Sequence, residues 1–530
     1  MTSPVAARCL AEQHRGALGR ATLGDQLRRH AANQPDRTAF VSLALDGTRV
    51  ATSYAQLDRL ANRCAHALQA LGVRRGDRVA VLARNRVEVV AVYYGALKIG
   101  AAFTGVNTLF RAEEVRRQLT HAEPTVVVAG GDFTALVDTA AAGLDLAKVD
   151  LDATSAAGDW SSFAEALAAA PDTSPDADVD ELDVAMLVYT SGTEAAPKGV
   201  LIQHRNYLAS TAPAWSWGLR TGPDDVWLFV MPFHTIAGLG SMTTLTMMGA
   251  TLVLPTDTDP GTSLALIRDE GVTVIAQTPT FYLALTAHPS FGTGTVGSVR
   301  RAMTYGGQMS PVAIDAWAAA THGITWGTYW GQSELSQLGS VGWFHTLDDI
   351  PDGDATWIGK PVTHLEVRVV DADGHDAELG ELWCRSPSVM LGYFKDPERT
   401  AAVFDGGWVH TGDVVRRDAT GNLFFHDRIK DMIKTGGMNV SSQEVERTLH
   451  THPDVLRAAV VGLPDDYWSE VVTAFVVAKP GATPDPLEVA AFCRAALAPY
   501  KAPKTVHLVT ELPVDAQGKI LKRELRVRKP

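Results

Sequence analysis

The segment VYTSGTEAAPKGV, residues 188–200, ends an apolar run in hydroxyls and glycine and meets a lysine shortly afterwards. With VAML before it, it reads as a strand that runs into a loop at the carboxyl end of a sheet. The loop offers hydroxyls from Thr190, Ser191 and Thr193, together with several main-chain N–H groups. Such loops hold anions through amide dipoles, and Gly192 lets the backbone approach a ligand closely. No glycine stands directly before a Lys-Ser/Thr pair, so this is not the Walker type of phosphate loop. Taken alone, a polar turn with a solvated Lys198 would be the simpler reading. The rest of the chain decides between the two.

Helical and strand patterns alternate on both sides of that loop. LGDQLRRHAANQPDRTAF and TSYAQLDRLANRCAHALQALG carry apolar residues at helical spacing, and each leads toward a short β-like run such as DRVAVLARN. The alternation continues to about residue 380 and points to α/β layers. Residues 152–183, rich in alanine, aspartate, serine and proline, read as a surface excursion before the strand VAMLVYT. From GELWCRS to about Asp427, glycines and short apolar runs suggest strands and turns. After DRIKD the style changes. Ser441-x-x-Glu444 is a capping-box pattern, and LRAAVVGLP, VVTAFVVAK and TVHLVTE read as strands with the helix PLEVAAFCRAALA between the last two. The expectation is a large N-terminal domain, 1–429, of layered α/β sheets, and a small α+β C-terminal domain, 430–530.

Composition bounds the partners. Of 530 residues, 46% are apolar and 20% charged, and 47 basic against 60 acidic residues give a net charge of −13. That balance disfavours nucleic acid as the main partner, since backbone binding needs clustered positive charge. Cys9, Cys64, Cys384 and Cys493 are scattered without metal-ligand spacing, which fits a reducing cytoplasm. The N-terminus lacks the continuous apolar core of a secretory signal. The apolar stretches 89–106, which contains Lys98, and 236–255 read as buried core rather than as membrane spans. A literal GxGxxG at Gly292, Gly294 and Gly297 follows the turn-like AHPSF instead of a strand, so it is accidental.

Six further segments appear in fixed order: PFHTIAG (232–238), TYGGQMS (304–310), YWGQSELS (329–336), GWVHTGD (407–413), DRIKDMIKTGGMN (427–439) and QGKILKREL (517–525). With the opening loop they resemble the adenylate-forming superfamily of acyl-CoA synthetases, luciferases and peptide-synthetase adenylation domains. The resemblance runs from about residue 25 to the C-terminus. It implies ATP, Mg²⁺ and coenzyme A as the molecules handled, and a C-terminal domain that rotates between two half-reactions. In the first, a carboxylate attacks the α-phosphorus of ATP and expels pyrophosphate. In the second, a thiol displaces AMP. An anion meeting a polyanion requires positive charge and a metal ion to neutralise what develops.

By the same resemblance, Thr190, Ser191, Gly192, Thr193 and Lys198 embrace the β- and γ-phosphates, and Glu334 holds Mg²⁺. Gly307 and Gln308 line the adenine, with Trp330 where relatives carry a stacking tyrosine; Gly331, Gln332 and Ser333 complete that segment. Asp413 accepts from the ribose hydroxyls and Arg428 is its partner. Lys519 bridges the substrate carboxylate and the α-phosphate. Lys430 falls at the interdomain hinge, and Lys434, Gly436 and Gly437 belong to the loop that replaces the Lys519 loop for thioester formation. Two departures stand out: Glu194 and Ala195 replace small or hydroxyl residues, which predicts a stiffer loop with Glu194 pointing away from phosphate.

The acyl pocket is implied near His234, Ile236 and Gly238, with walls that include Tyr305 and Gly306. FHTIAGLG offers no aspartate for an α-ammonium, which favours a plain carboxylic acid, aliphatic or aromatic, and Thr235, Gly238 and Gly240 suggest room for something bulkier than acetate. Coenzyme A is the expected acceptor. A stand-alone ligase loading an acyl carrier protein, a luciferase-like oxidation and a silent nucleotide-binding homologue are the alternatives. A cytoplasmic monomer or homodimer without a transmembrane segment is expected.

Overall fold

The computed structural model describes residues 21–43, 48–190, 198–255, 258–304, 309–435, 438–465, 467–514 and 519–527. They form two compact units. The larger holds the described residues before 367 together with 385–404, and the smaller holds 367–384 and those from 405 onward. The architecture is mixed α/β, with a large N-terminal domain of layered sheets and a small C-terminal domain.

An eight-stranded sheet in the larger unit has the order Gly392–Tyr393, Lys198–Gln203, Val184–Thr190, Ala102–Gly105, Arg78–Leu82, Val126–Ala129, Ala147–Asp150, Trp160–Ser162. Its central strands run parallel and are buried along their length, which explains why VAVL and VVVA read as unbroken apolar runs rather than alternating ones. The three-residue edge strand Trp160–Ser162 and the helix Phe163–Ala169 fall where the sequence suggested a surface excursion. A strand that short carries almost no periodic signal, although FAEALAA is rich in strong helix formers.

A nine-stranded sheet includes Thr38–Leu43, Val226–Leu228, Thr251–Leu254, Val274–Gln277, Arg301–Thr304 and Thr325–Trp330 in mutually parallel pairing. One face is filled by Tyr282, Trp317 and Trp326, whose rings meet edge to face. The GxGxxG match lies in the four-residue helix Thr293–Val296, which follows the helix Pro279–Thr286 and leads into a strand, so it has none of the strand–loop–helix context of a dinucleotide site.

Helices Val87–Lys98 and Ile236–Met247 are buried nearly all round, as their uniform apolarity requires. Lys98 is accommodated because its Nζ donates to Asp58 Oδ1 and Asn62 Oδ1, both at 2.6 Å. Tyr54–Ala70 begins at Ser53 with a reciprocal capping box to Gln56 and buries Leu57, Ala61, Cys64, Ala65 and Leu68 on one stripe. Among the described residues, no helix is long and apolar enough to cross a membrane.

In the smaller unit, Trp408–Arg417 pairs with Leu379–Arg385 and with Leu423–Arg428. The expected boundary at 430 therefore falls inside this unit, just past the last strand of that sheet. Beyond it, Val455–Asp465 and Ser469–Ala478 form a long antiparallel pair, with Thr505–Leu508 added in parallel. Ala458 and Val460 face helices Ser442–His450 and Pro486–Ala496, whereas Ala459 and Val461 face Leu512 and Leu525. Burial on both faces accounts for the continuous apolar run AAVV, 458–461. Ser441 caps the first of these helices by accepting from the Glu444 N–H at 3.2 Å.

Helices 54–70 and 87–98 approach most closely at Gly95. A Cβ there would lie 2.7 Å from Cys64 Cβ and 2.9 Å from the main-chain nitrogen of Ala65. Alanine is the better helix former by about 1 kcal/mol, yet overpacking against a backbone that cannot yield costs about 1–3 kcal/mol. Gly95→Ala should therefore lower the thermal midpoint of the large domain. A midpoint at or above that of the parent would show that the two helices separate freely.

Candidate active site

In the larger unit, Thr190 ends its strand directly opposite Lys198, across the antiparallel pair that brackets the phosphate-loop segment. Ser191, Gly192, Thr193, Glu194 and Ala195 lie outside the described residues. Gly392–Tyr393 extends the sheet beyond Lys198–Gln203, with Tyr393 opposite Val200. Lys198 Nζ sits 5.4 Å from the centre of the Tyr393 ring.

Strand Thr325–Trp330 delivers the WGQSELS segment. Trp330 is buried, and its ring lies so close to Gly339 that a Cβ there would come within 2.3 Å of it. The chain then closes a tight turn. Gln332 O accepts from the N–H of Gln337 at 3.0 Å, Ser333 O accepts from that of Ser336 at 3.0 Å, and a Cβ on Gly331 would sit 1.6 Å from Gln337 O. Ser336 and Gln337 both have positive φ, 54° and 99°, at about 1–3 kcal/mol of local strain each. The surroundings hold them there. Ser336 Oγ donates to Ser388 O at 2.6 Å; Gln337 Nε2 donates to Ser241 Oγ at 2.7 Å, and its Oε1 accepts from the Tyr207 hydroxyl at 2.8 Å. The turn orients Glu334, whose Oε1 accepts from the Tyr393 hydroxyl at 2.9 Å and whose carbonyl accepts from Met390 N–H at 2.9 Å. Tyr305, Gly306, Gly307 and Gln308 lie outside the described residues, immediately past strand Arg301–Thr304.

The PFHTIAG segment is fixed by a residue that sequence reasoning missed. Asn85 donates to Met231 O at 2.7 Å and accepts from Phe233 N–H at 3.0 Å. It lies three residues past the end of the parallel strand Arg78–Leu82, at the carboxyl end of the sheet. His234 is largely buried, its Nε2 has no hydrogen-bond partner among the described residues, and burial lowers its pKa to about 4. Ile236 is half-buried at the start of helix Ile236–Met247, where Thr235 Oγ1 accepts from the Gly238 N–H at 3.0 Å. The glycines nearby do not create pocket space. A Cβ on Gly238 would lie 1.9 Å from Pro232 O, and one on Gly240 would lie 2.6 Å from Gln337 Oε1. They permit close packing, and the room expected at Gly238 and Gly240 is taken up by Pro232 O and Gln337 Oε1.

The smaller unit collects the other residues. Asp413 is fully buried opposite Arg428 in the strand pair, and Arg428 Nε lies 3.0 Å from its Oδ1. Next to them Asp427, not singled out by any motif, accepts at Oδ2 from Ser442 N–H at 2.6 Å and from Ser442 Oγ at 2.8 Å. A buried carboxylate on the N-terminus of helix Ser442–His450 compensates both its N–H groups and its dipole. Lys430 is exposed on the short 3-10 turn Ile429–Asp431; its carbonyl accepts from Arg526 Nη2 at 3.0 Å, and Arg526 also pairs with Asp431 at 3.0 Å. Lys434 is exposed on strand Ile433–Thr435, while its N–H donates to Glu470 Oε2 at 2.7 Å. Gly436 and Gly437 lie outside the described residues. Lys519 is exposed beside the β-bridge between Val514 and Ile520. Cys64, Cys384 and Cys493 are buried, and burial raises each thiol, which leaves them without nucleophilic character at neutral pH.

The profile of AMP-binding enzymes matches residues 27–394, and that of the AMP-binding enzyme C-terminal domain matches residues 444–519. A long-chain-fatty-acid–CoA ligase of Mycobacterium tuberculosis is 32% identical over 509 residues, covering 95% of this chain and 98% of the relative. A feruloyl-CoA synthase of Amycolatopsis is 34% identical over 484 residues, covering 90% and 94%. The ATP-bound structure of MatB from Rhodopseudomonas palustris matches with a TM-score of 0.83 and 28% identity, over 96% and 98% of the two chains. The chain belongs to the AMP-binding enzymes. Its reaction is that of an AMP-forming acid–CoA ligase: ATP converts a carboxylic acid to acyl-AMP with release of pyrophosphate, and the acyl group passes to coenzyme A.

The neutral histidines set a pH dependence. Burial holds His234 and His364 at about 4, against an ordinary value of 6.5. Between those values the unfolded chain binds more protons, so stability is complete above pH 6.5 and is lost as pH falls. Each ring should remove about 1–2 kcal/mol between pH 7 and pH 5. Denaturant titrations across that range should give a shallower slope for His234→Leu; a slope equal to the parent's would mean that the folded protein protonates the ring normally.

Proposed function

We propose that the chain activates a hydrophobic carboxylic acid, aliphatic or aromatic, with the two half-reactions served by two different lysines. Lys519 approaches the acid carboxylate and the α-phosphate, so that one ammonium screens both anions as they are brought together. Lys434, with Gly436 and Gly437, serves the transfer to coenzyme A, and Lys430 is the hinge. The observation that carries this reading is the presentation of two exposed lysines on separate segments of one compact unit, Lys434 on a short strand and Lys519 next to the Val514–Ile520 bridge. An ammonium on a flexible stem suits a task needed in only one conformation.

The other assignments follow the chemistry of the side chains. Thr190, Ser191, Gly192, Thr193 and Lys198 take the β- and γ-phosphates, and Gly307, Gln308 and Trp330 take the adenine, with Gly331, Gln332 and Ser333 shaping that wall. Asp413, fully buried and held opposite Arg428 in the strand pair, accepts from the ribose hydroxyls. His234, Ile236, Gly238, Tyr305 and Gly306 border the acyl group, and a neutral, apolar-facing His234 is compatible with a substrate that carries no charge beyond its carboxylate.

Magnesium fits this set. Among the described residues no group of three acidic, histidine or cysteine side chains could cage a metal, but Glu334 offers one hard oxygen ligand. Mg²⁺ is commonly held by one or two carboxylates plus substrate phosphates and water. Bound there, the ion would neutralise charge developing on the phosphates.

Acid-dependent exchange of labelled pyrophosphate into ATP, run over a panel of acids, tests the reaction and its substrate. Apolar acids should support exchange and small polar ones should not; exchange with none would refute adenylation. Lys519→Ala should reduce exchange by about 10²–10³-fold, as loss of one transition-state electrostatic contact does, while supplied acyl-adenylate is still converted to thioester. Lys434→Ala should spare exchange and slow the thiol step. Equal loss of both half-reactions in either variant would overturn the division of labour. Comparing coenzyme A with a phosphopantetheinyl carrier protein for AMP release fixes the acceptor.

A further inference from the structure

Tyr393 belongs to none of the segments that carry the family resemblance, yet it touches two residues of the proposed site. We propose that Tyr393 is a positioning residue for adenylation: its hydroxyl holds the Glu334 carboxylate in the orientation that receives the metal, and its ring face carries the ammonium of Lys198. The proposal rests on the reading of Glu334 as the Mg²⁺ ligand and of Lys198 as a phosphate anchor.

The backbone of Tyr393 is fixed before its side chain does anything. Its N–H donates to Thr400 Oγ1 at 2.9 Å, and the next N–H, of Phe394, donates to Gly199 O at 2.7 Å. Gly392 has φ +152°, and a Cβ there would come 2.9 Å from Thr400 Cγ2, so the chain reaches Tyr393 by a path that favours glycine. From that position the phenol donates to Glu334 Oε1 at 2.9 Å, while Met390 N–H donates to the Glu334 carbonyl at 2.9 Å. One short stretch therefore holds Glu334 twice, by main chain and by side chain. Lys198, at the end of the phosphate-loop segment, projects over the opposite part of the same residue, 5.4 Å from the ring centre.

The chemistry of each contact suits the role. The hydrogen bond from the phenol is directional, and it occupies one lone pair of a carboxylate that has about four. The remaining lone pairs stay available to a hard cation, and outer hydrogen bonds of this kind orient metal ligands and typically alter affinity or activity 10–100-fold when removed. An aromatic face attracts an ammonium through the ring quadrupole, so the Tyr393 ring favours one position of the Lys198 Nζ. A purely structural tyrosine would also bury its ring and satisfy its hydroxyl. What separates the two roles is the metal dependence of nucleotide binding, which packing alone does not alter.

Tyr393→Phe keeps the ring and deletes the phenol. ATP binding is measured by calorimetry on the full chain without acid, with Mg²⁺ titrated. In this variant the Mg²⁺ concentration for half-maximal binding should rise about tenfold. Pyrophosphate exchange should fall by a similar factor, and conversion of supplied acyl-adenylate should stay within twofold of the parent. Glu334→Gln is the control. If it shifts the Mg²⁺ requirement and Tyr393→Phe does not, the positioning role is overturned and the metal reading stands. If Glu334→Gln itself shifts nothing, the metal reading fails and takes this proposal with it. Thr400→Val loosens the strand without touching the carboxylate and should produce a smaller shift in the same direction. Should Tyr393→Phe not fold, an unchanged Mg²⁺ requirement in Thr400→Val overturns the proposal.

Discussion

The side-chain amide of Gln337 is the contact on which the large domain's functional geometry depends. It is buried, has a backbone conformation that few residues other than glycine adopt, and joins the helix carrying Tyr207 to the helix carrying Ser241. Tyr207 in turn bonds Thr244 at 2.8 Å and the carbonyl of Gly240, so three segments distant in sequence share one polar cluster in an apolar interior. Buried polar groups are costly unless satisfied, and a satisfied cluster specifies one arrangement because any slip leaves several groups without partners. The strained conformation of Gln337 is held by this cluster, and that of Ser336 by its bond to Ser388 O. The consequence is local and chemical: the turn from Gly331 to Gln337 leaves Glu334 facing Tyr393.

The small domain solves a similar problem with charge. Asp413 and Asp427 are buried carboxylates near neighbours in space on paired strands, and each is compensated differently. Asp413 faces the guanidinium of Arg428, a planar donor on the adjacent strand. Asp427 faces the N-terminus of a helix and two serine hydroxyls. Removing one partner of such a group is far more damaging than the net worth of the contact, because the charge left behind stays buried. The same logic applies to Lys522, which is 2.8 Å from the buried Glu446 and 2.6 Å from Ser442 Oγ. These contacts lie in the same unit as the exposed Lys434 and Lys519.

Most of the secondary structure was legible because hydrophobic periodicity differs between a half-buried helix, such as Tyr54–Ala70, and a strand buried on both faces, such as Val455–Asp465. Where the pattern was short it failed: the strand Trp160–Ser162 is three residues long and takes its identity from its neighbour in the sheet. Candidate site residues were legible wherever they fall in a recognisable segment. Asp413 and Arg428 are the favourable case, since two recognisable segments are register partners. Tyr393, Asn85, Asp427 and Gln337 were not legible. Each acts through partners at least 14 residues away, as in Asp427 with Ser441 and Asn85 with Met231, and nothing in local spacing distinguishes such a residue from ordinary core or turn. Gly238 and Gly240 were misread for the same reason, because a glycine that admits a ligand and one that admits a neighbouring carbonyl look identical in sequence.

The sequence by itself determined the class of fold, the order of the segments and the kinds of side chain available: hydroxyls and a lysine after an apolar strand, one carboxylate after a glycine, lysines in a basic tail. Those follow from composition and period, which are properties of the chain taken a few residues at a time. Only the tertiary structure decided which hydroxyl holds the carboxylate, which amide supports the strained turn, and which histidine is kept neutral. Those depend on burial and on contacts between distant residues, and the free energy of a buried polar group is set by the partner that folding brings to it.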